Sequence, residues 1–335
     1  MTNFPWHDTQ WEQLQQCHQQ QRFPHGLILH GPAGVGVNVF SRRLAQYLLC
    51  QNAHASDSAA RACGQCAACK LFQAGTHPDL CELEVLEDKK NISIDQVRQM
   101  AQWQSIKSHL GGAQVVLIRE AHKLSTSAAN ALLKTLEEPS GATVLILLTR
   151  NPGWLLPTVR SRCRTVKFSL PQRRQALDYL VNSTDKTEAL ELALDIAGGA
   201  PLTALAYLQG DYLVDRKEFF KEFQALCEDR ESAIPIAGRW HKYDPEVIQH
   251  WLAAWCRDLI RLKVSGSMTL ISNSDLVSEL GRMAQHLGVR DLYKFLDQLT
   301  DMLKWVDRNL NIQLQLENLL LSWQQMIAES STLKV

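Results

Sequence analysis

A chain of 335 residues is long enough for two or three compact domains, because single hydrophobic cores seldom grow beyond about 250–300 residues. Lysine plus arginine and aspartate plus glutamate number 35 each, so no overall field draws the protein to nucleic acid or to an anionic membrane. Residues 1–8 lack the basic and apolar regions of a signal peptide, and no apolar run approaches the roughly 20 residues that span a bilayer, which predicts a cytoplasmic protein without membrane contact.

The chain starts with a pattern typical of an α/β domain. A helix before about Phe23 leads into an apolar run at 26–30 that predicts a buried strand, and residues 31–38 read GPAGVGVN. Gly31, Gly34 and Gly36 permit the tight turn whose backbone amides cradle phosphate, and an amphipathic helix follows as far as Cys50. A strand, a glycine-rich turn and a helix in this order predict a phosphate-binding loop.

The chemistry of this loop is incomplete. The pattern G-x-x-x-x-G-K-[ST] supplies a lysine for the outer phosphates and a hydroxyl for magnesium, whereas Val37 and Asn38 hold those positions here. We interpret the loop as vestigial and expect neither ATP nor Mg²⁺ as a cofactor. The sequence leaves open whether a nucleotide ever occupies it.

A cysteine cluster marks an insertion at residues 50–70. Cys63, Cys66 and Cys69 fall within seven positions, and Cys50 is the fourth candidate ligand. Structural disulfides are not expected in a reducing compartment, and four thiolates suit tetrahedral zinc. Because the pattern implies no open coordination position, we favour a structural Zn²⁺ over exposed free thiols or a redox pair.

Further strands and helices alternate up to residue 168. Strands are predicted at 79–86, 113–118 and 143–148, and helices begin at Ser93 and at Ser125 or Thr126. This alternation predicts a parallel sheet in a domain at 1–168 that contains the insertion. The rest of the chain favours helices only, in a small domain at 169–209 and a bundle at 210–335. The predicted fold class is therefore α/β plus all-α.

The residues after the 113–118 strand also argue against ATP hydrolysis. Magnesium needs oxygen ligands, but Arg119 replaces the first acid of the expected carboxylate pair, and a cation there opposes the metal. Glu120 survives and is interpreted as a structural carboxylate. Together with Val37 and Asn38, Arg119 makes three independent losses, so no intrinsic ATPase activity is expected.

A third candidate site is basic. Arg160, Arg162 and Arg164 lie within five residues just before the last predicted strand. From charge alone, a solvated basic face is the favoured interpretation of these three residues.

Four motifs together carry a family resemblance. They are ANALLKTLEEP at 129–139, Ser161-Arg162-Cys163, the four-cysteine insertion and GTHPD at 75–79. With these motifs the chain resembles, over essentially its whole length, the delta prime subunits of the bacterial DNA polymerase III clamp loader, within the AAA+ superfamily. The resemblance implies an AAA+ α/β domain, a helical lid at 169–209 and a C-terminal collar at 210–335 through which five subunits form a ring.

The resemblance also implies a division of labour between subunits. It implies that Arg162 acts as an arginine finger on ATP bound by a neighbouring motor subunit, gamma or tau, and that the chain bridges to the clamp-opening delta subunit. The sliding clamp and primer-template DNA are then reached through the complex, as part of the polymerase holoenzyme. Leu202 stands where active subunits carry a nucleotide-contacting arginine, and Thr149 stands at the first sensor position.

Two other functions compete with this one. An ATPase with a divergent phosphate loop would release phosphate in the absence of other subunits. A zinc-dependent nucleic-acid-binding module would need positive charge near the insertion, where the sequence offers Lys70, Arg61 and His54. Three such residues are few for phosphate binding.

Overall fold

The computed structural model describes residues 4–53, 61–87, 89–139, 141–268, 271–307 and 310–332. The chain divides into two compact units, one ending at Gln175 and the other beginning at Ala176. The finer division at 168 and 209 stays a prediction.

The first unit alternates strands and helices. Its elements are α1 (Asp8–Gln19), β1 (Gly26–His30), α2 (Val37–Leu49), α3 (Ala67–Gln73), β2 (Leu80–Leu83), α4 (Ile94–Gln104), β3 (Gln114–Ile118), α5 (Thr126–Glu137), β4 (Thr143–Thr149), α6 (Pro157–Arg160) and β5 (Arg164–Lys167). Helix α7 (Arg173–Val181) follows and extends into the second unit.

One five-stranded parallel sheet organises this unit. Its strand order is β2-β3-β4-β1-β5, and β1 lies between β4 and β5, with Gly26 opposite Leu145 and Leu27 opposite Arg164. The apolar runs of β3 and β4 are buried along their whole length, as expected for a sheet covered on both faces. Because all strands are parallel, the loops that follow them meet at one edge of the sheet. The predicted α/β class of this region is confirmed.

Local signals explain where several elements begin. The Ser93 hydroxyl accepts from the Gln96 backbone N–H, and the Gln96 side chain accepts from the Ser93 N–H, which completes a capping box for α4. At α5 the Ser125 hydroxyl caps the helix by accepting from the Ala128 backbone N–H.

Strand β2 is shorter than the predicted strand at 79–86. The Asp79 carboxylate is 1% exposed and accepts hydrogen bonds from the backbone N–H groups of His109 and Leu110, at 2.8 and 3.0 Å. Asp79 therefore anchors a loop before the strand begins, and the strand starts one residue later.

In the second unit, the described residues form helices without a strand. The elements are α8 (Leu190–Ile196), α9 (Pro201–Gln209), α10 (Tyr212–Cys227), α11 (Ala233–Trp240), α12 (Pro245–Ser265), α13 (Val277–Gln285), α14 (Val289–Asp307) and α15 (Ile312–Thr332). Helices α7–α9 surround a small apolar cluster, and α10–α15 surround a larger one. The all-α class predicted for this region is confirmed.

Among the described helices, none combines the length and the apolar character needed to cross a lipid bilayer.

Candidate functional site

The loop at 31–38 joins β1 to α2, at the edge of the sheet where the parallel strands end. Gly34 and Gly36 have φ angles of 76° and 90°, left-handed values that favour glycine. Gly31 instead allows a close approach, because a Cβ built on it would lie 2.8 Å from the Phe168 carbonyl oxygen. The backbone therefore makes the sharp turn that the three glycines predict.

An aromatic segment, Phe4–His7, packs against the second half of this loop. The Trp6 Nε1–H donates to the Val35 carbonyl at 2.9 Å, and His7 Nε2 contacts the same oxygen at 2.8 Å. A Cβ built on Gly36 would lie 2.7 Å from the Phe4 ring, so only glycine fits beneath that ring. Sequence reasoning missed this segment, and the signal that could have found it is three ring-bearing side chains within four residues.

Burial fixes the charge of His7. The residue is 2% exposed, and desolvation lowers its pKa to about 4, although the hydrogen bond to Val35 partly offsets this. The ring is therefore neutral at pH 7. Since a carbonyl only accepts, we place the hydrogen on Nε2. The Val35 carbonyl thus receives two neutral donors, which tie the aromatic segment to the loop.

Val37 and Asn38 are the first two residues of α2. Val37 is partly buried against the apolar cluster that contains Phe40 and Leu44. Asn38 is exposed, and its backbone carbonyl accepts from the Ser41 hydroxyl at 2.8 Å. Neither side chain can supply the ammonium group or the hydroxyl that phosphate and magnesium require at these positions.

An ion-pair cluster occupies the ends of β2 and β3. Arg119 Nη2 lies 3.4 Å from Glu82 Oε2, and Arg119 Nη1 lies 3.7 Å from Glu84 Oε2. Arg42 on α2 contacts the other Glu82 oxygen at 2.8 Å. Two guanidinium groups therefore neutralise Glu82, at the sheet edge where a metal-binding carboxylate would be expected.

Glu120 follows Arg119 in a left-handed conformation, with φ of 48°. Its carboxylate pairs with Lys123 Nζ at 3.2 Å. The interpretation of Glu120 as a structural carboxylate stays a prediction.

Thr149 and Leu202, the residues that the resemblance places at sensor positions, lie in different units. The Thr149 hydroxyl donates to the Asn151 carbonyl at 3.1 Å and lies 3.4 Å from His122 Nδ1. Leu202 is half-buried on α9 in the second unit. Their comparison with nucleotide sensors stays a prediction.

Four thiols converge beside α3. The sulfur atoms of Cys50, Cys63, Cys66 and Cys69 all lie within 4.8 Å of one another. Cys50 follows α2 directly, Cys66 caps α3, and Cys69 lies in its first turn. The fold brings together all four residues that the spacing singled out, and the group could hold a metal ion.

The geometry of these thiols fits a tetrahedral thiolate site. Cys50 and Cys66 are 3.9 Å apart at sulfur, and Cys63 and Cys69 are 4.0 Å apart. Zinc–sulfur bonds of about 2.3 Å in a tetrahedron place the sulfurs about 3.8 Å apart. Three backbone N–H groups also point at sulfurs, with distances of 3.3 to 3.4 Å, and such donors favour thiolate.

The thiols differ in how readily they lose a proton. Backbone N–H groups of Gln65 and Cys66 lower the pKa of Cys63 to about 6, whereas burial raises the pKa of Cys50 and of Cys69. Metal coordination needs deprotonated sulfur and would favour thiolate at all four. Cys50 and Cys69 are only 5% and 1% exposed, which disfavours the alternative of four exposed free thiols.

Few positively charged side chains lie at the surface of the insertion. Arg61 and Lys70 are exposed, and His54 lies outside the described residues. Nothing in the described part of the insertion strengthens the nucleic-acid alternative.

Arg162 lies in the turn between α6 and β5. Its Nη2 is 2.7 Å from Glu137 Oε1, and its Nη1 donates to the Thr158 carbonyl at 3.0 Å and to the Ser161 hydroxyl at 3.3 Å. The side chain is 37% exposed. The guanidinium is therefore held at the surface by defined partners, and its predicted role as an arginine finger stays a prediction.

Arg162 and the loop at 31–38 lie at opposite edges of the sheet. β1 and β5 are parallel with Leu27 opposite Arg164, so Arg162 precedes β5 while the loop follows β1. The length of β1, about 15 Å for five residues, separates the two edges. The Arg162 side chain cannot cover that distance, so it does not serve the loop of its own chain.

The comparisons with known proteins agree along the chain. Residues 6–172 match the family model described as DNA polymerase III, delta subunit, and residues 211–325 match its C-terminal counterpart. The DNA polymerase III subunit delta' of Pseudomonas aeruginosa is 34% identical over 96% of this chain and 97% of its own length. The chain belongs to the DNA polymerase III delta' family.

One more relative and one solved structure are similar to this chain. The delta' subunit of Escherichia coli is 35% identical, over 85% of this chain and 84% of its own. Among solved structures, a DNA polymerase III gamma subunit-related protein from Thermotoga maritima matches 94% of this chain and 99% of its own, with 19% identity and a TM-score of 0.44. Assignment to the delta' family therefore rests on the sequence relatives.

Proposed function

We propose that this delta' family member is a clamp-loader subunit that does not hydrolyse ATP and that donates Arg162 to ATP held by a neighbouring motor subunit. The partners are gamma or tau subunits and the clamp-opening delta subunit, in a ring of five that loads the sliding clamp onto primed DNA. One observation carries the proposal. Arg162 is presented at the surface, at the sheet edge opposite the phosphate loop of its own chain.

Replacement of the catalytic groups supports the non-hydrolysing part of the proposal. Val37 offers no charge to phosphate, and Arg119 with its partner Glu82 fills the place of a metal-binding acid with an ion pair. A guanidinium repels a divalent cation. The side chains of Trp6 and His7 also bind the Val35 carbonyl of the loop at 31–38.

Chemistry in trans explains why the chain retains a cationic surface group. In phosphoryl transfer, charge spreads over the oxygens of the transferring phosphate, and a guanidinium near them stabilises that charge. Arginine fingers in other enzymes raise the rate by about 10³–10⁵. The proposed active site is therefore shared between two subunits, and this chain supplies one cation.

We also propose that the four-cysteine group holds a structural Zn²⁺. Cys50, Cys63, Cys66 and Cys69 would supply all four ligands, which leaves no position for a reacting water. When bound, the ion supplies cross-links between the end of α2 and the start of α3 rather than chemistry on a substrate.

The Arg162→Ala variant tests the proposed function. In a complex assembled from purified motor, delta and variant chains, DNA-stimulated ATP turnover is expected to fall while the mass of the assembly is unchanged. Arg160→Ala is the matched control, because it removes the same charge from an exposed position two residues away. Turnover that is equal in the two variants would reject the role of Arg162.

A further inference from the structure

The contact between Arg162 and Glu137 assigns a role to a second residue. We propose that Glu137 is a positioning residue that fixes the direction of the Arg162 guanidinium towards the neighbouring subunit's ATP. This inference rests on the proposed function of Arg162. It concerns how the side chain is aimed, which the proposed function leaves open.

The pair is held in place by packing at one glycine. A Cβ built on Gly26 would lie 3.0 Å from Leu136 Cδ2 and 3.0 Å from Cys163 Sγ. Leu136 precedes Glu137 and Cys163 follows Arg162, so the side chains next to the pair pack together at the start of β1, where the Arg162 carbonyl oxygen would also lie 3.3 Å from that Cβ.

The end of α5 has a further anchor. His25 Nε2 lies 2.8 Å from the Leu136 carbonyl oxygen. The main chain at Glu137 and at Arg162 is therefore placed by contacts in the core of the first unit. The ion pair between the two side chains does not place it.

The contacts of Arg162 use only part of its hydrogen-bonding capacity. A guanidinium has five N–H donors. Nη1 donates to Thr158 and Ser161, and Nη2 contacts Glu137. Among the residues that the structure describes, Nε–H and the second Nη2–H meet no acceptor. Glu137 and the main chain thus hold the guanidinium at both terminal nitrogens while donors remain for a phosphate oxygen.

Stability does not account for this ion pair. Arg162 and Glu137 are 37% and 49% exposed, and ion pairs with such access to water add little to folding. Orientation is a different matter, because a displacement of about 1 Å in a catalytic group can cost about 100-fold in rate. A freely rotating arginine would spend little time in the reactive direction.

The experiment compares Glu137→Ala with Glu138→Ala in the assembled complex. Glu138 is adjacent, exposed and equally charged, so it controls for the loss of one negative charge. The measured quantity is the part of DNA-stimulated ATP turnover that Arg162→Ala abolishes. Glu137→Ala is expected to lower that part about 10-fold without a change in the KM for ATP, because orientation affects the transition state. Glu137→Gln, which keeps an acceptor, is expected to recover part of it.

A double variant separates positioning from a general structural role. Adding Glu137→Ala to Arg162→Ala should lower turnover no further, since the carboxylate acts through the guanidinium. A further drop in the double variant, or equal turnover in Glu137→Ala and Glu138→Ala, would overturn the inference. Unchanged turnover in Arg162→Ala itself would instead remove the proposed function on which it rests.

Discussion

Arg119 and Glu82 form an ion pair where β3 and β2 end side by side, with 3.4 Å between Nη2 and Oε2. Arg42 binds the other oxygen of the same carboxylate at 2.8 Å. One acid is therefore held by two arginines at the sheet edge that also carries the loop at 31–38. This arrangement satisfies Glu82 internally and leaves it poorly suited to bind a divalent cation.

The isolated chain is therefore expected to release no phosphate from Mg²⁺ and ATP. The reason is the combined lack of a lysine at 37, a hydroxyl at 38 and an acid at 119. The measurement is steady phosphate release by the purified chain, with Arg119→Ala as the control. Release by the unaltered chain above that control would favour the competing ATPase function.

Local sequence signals account for much of the first unit. The bounds of β1 agree with the predicted strand, because a continuous apolar run flanked by turn residues specifies a buried strand within a few positions. The cap at Ser93 and the four-cysteine group were predictable for the same reason, since each depends on residues close together in sequence.

Long-range contacts account for what sequence reasoning missed. Trp6 and His7 contact Val35 across 29 and 28 positions. The cluster of rings at 4–7 marks the segment, but nothing near it in the sequence indicates that it packs on the loop at 31–38. The sequence predicted a helical bundle over the region of α10 without the bounds of that helix, and it did not predict that Arg216 on α10 is fully buried. An arginine within a charged stretch looks like a surface residue until its distant partners are known.

Loss of one cysteine ligand is expected to release the proposed metal. Purified chain should contain about one zinc per molecule by elemental analysis. Cys69→Ser should weaken zinc affinity by at least about 100-fold, because substitution of a residue that only orients a metal ligand already costs up to about 100-fold. Cys17→Ser is the control, because Cys17 lies outside the four-thiol group. Chain purified without chelators and free of zinc would contradict the structural site.

Acid is expected to destabilise the first unit through His7. Its pKa is about 4 when folded and about 6.5 when unfolded, so the unfolded chain binds the proton more readily. The contribution is present above pH 6.5 and is lost as the pH falls towards 4, by up to about 2 kcal/mol between pH 7 and 5. Urea unfolding at the two pH values measures this loss.

The matched variant for this measurement is His7→Gln. Glutamine can still donate to the Val35 carbonyl but does not titrate, so its loss of stability between pH 7 and 5 should be smaller than that of the unaltered chain. Equal losses would show that the ring is not held neutral against the loop.

A buried polar network in the second unit predicts one strongly destabilising substitution. Arg216 on α10 is fully buried, and its guanidinium donates to Asn273 Oδ1 at 2.6 Å and to both Asp275 oxygens at 3.0 Å. Asn273 in turn donates to the Asp258 carboxylate through its backbone N–H and its side-chain amide, at 2.9 and 2.7 Å. Removing Arg216 leaves Asp275 without its cation and Asn273 without its donor.

Arg216→Leu is accordingly expected to lower the free energy of unfolding by about 3–5 kcal/mol, the cost of breaking a buried ion pair from one side. Lys217→Leu, on the same helix but exposed, should change it by less than about 0.5 kcal/mol. Urea titration followed by tryptophan fluorescence can report the difference, because Trp251, Trp255 and Trp323 are buried in this unit. If the two variants unfolded at the same urea concentration, the network would not hold α10 to the segment at 273–275, and packing of the apolar cluster alone would account for the stability of the bundle.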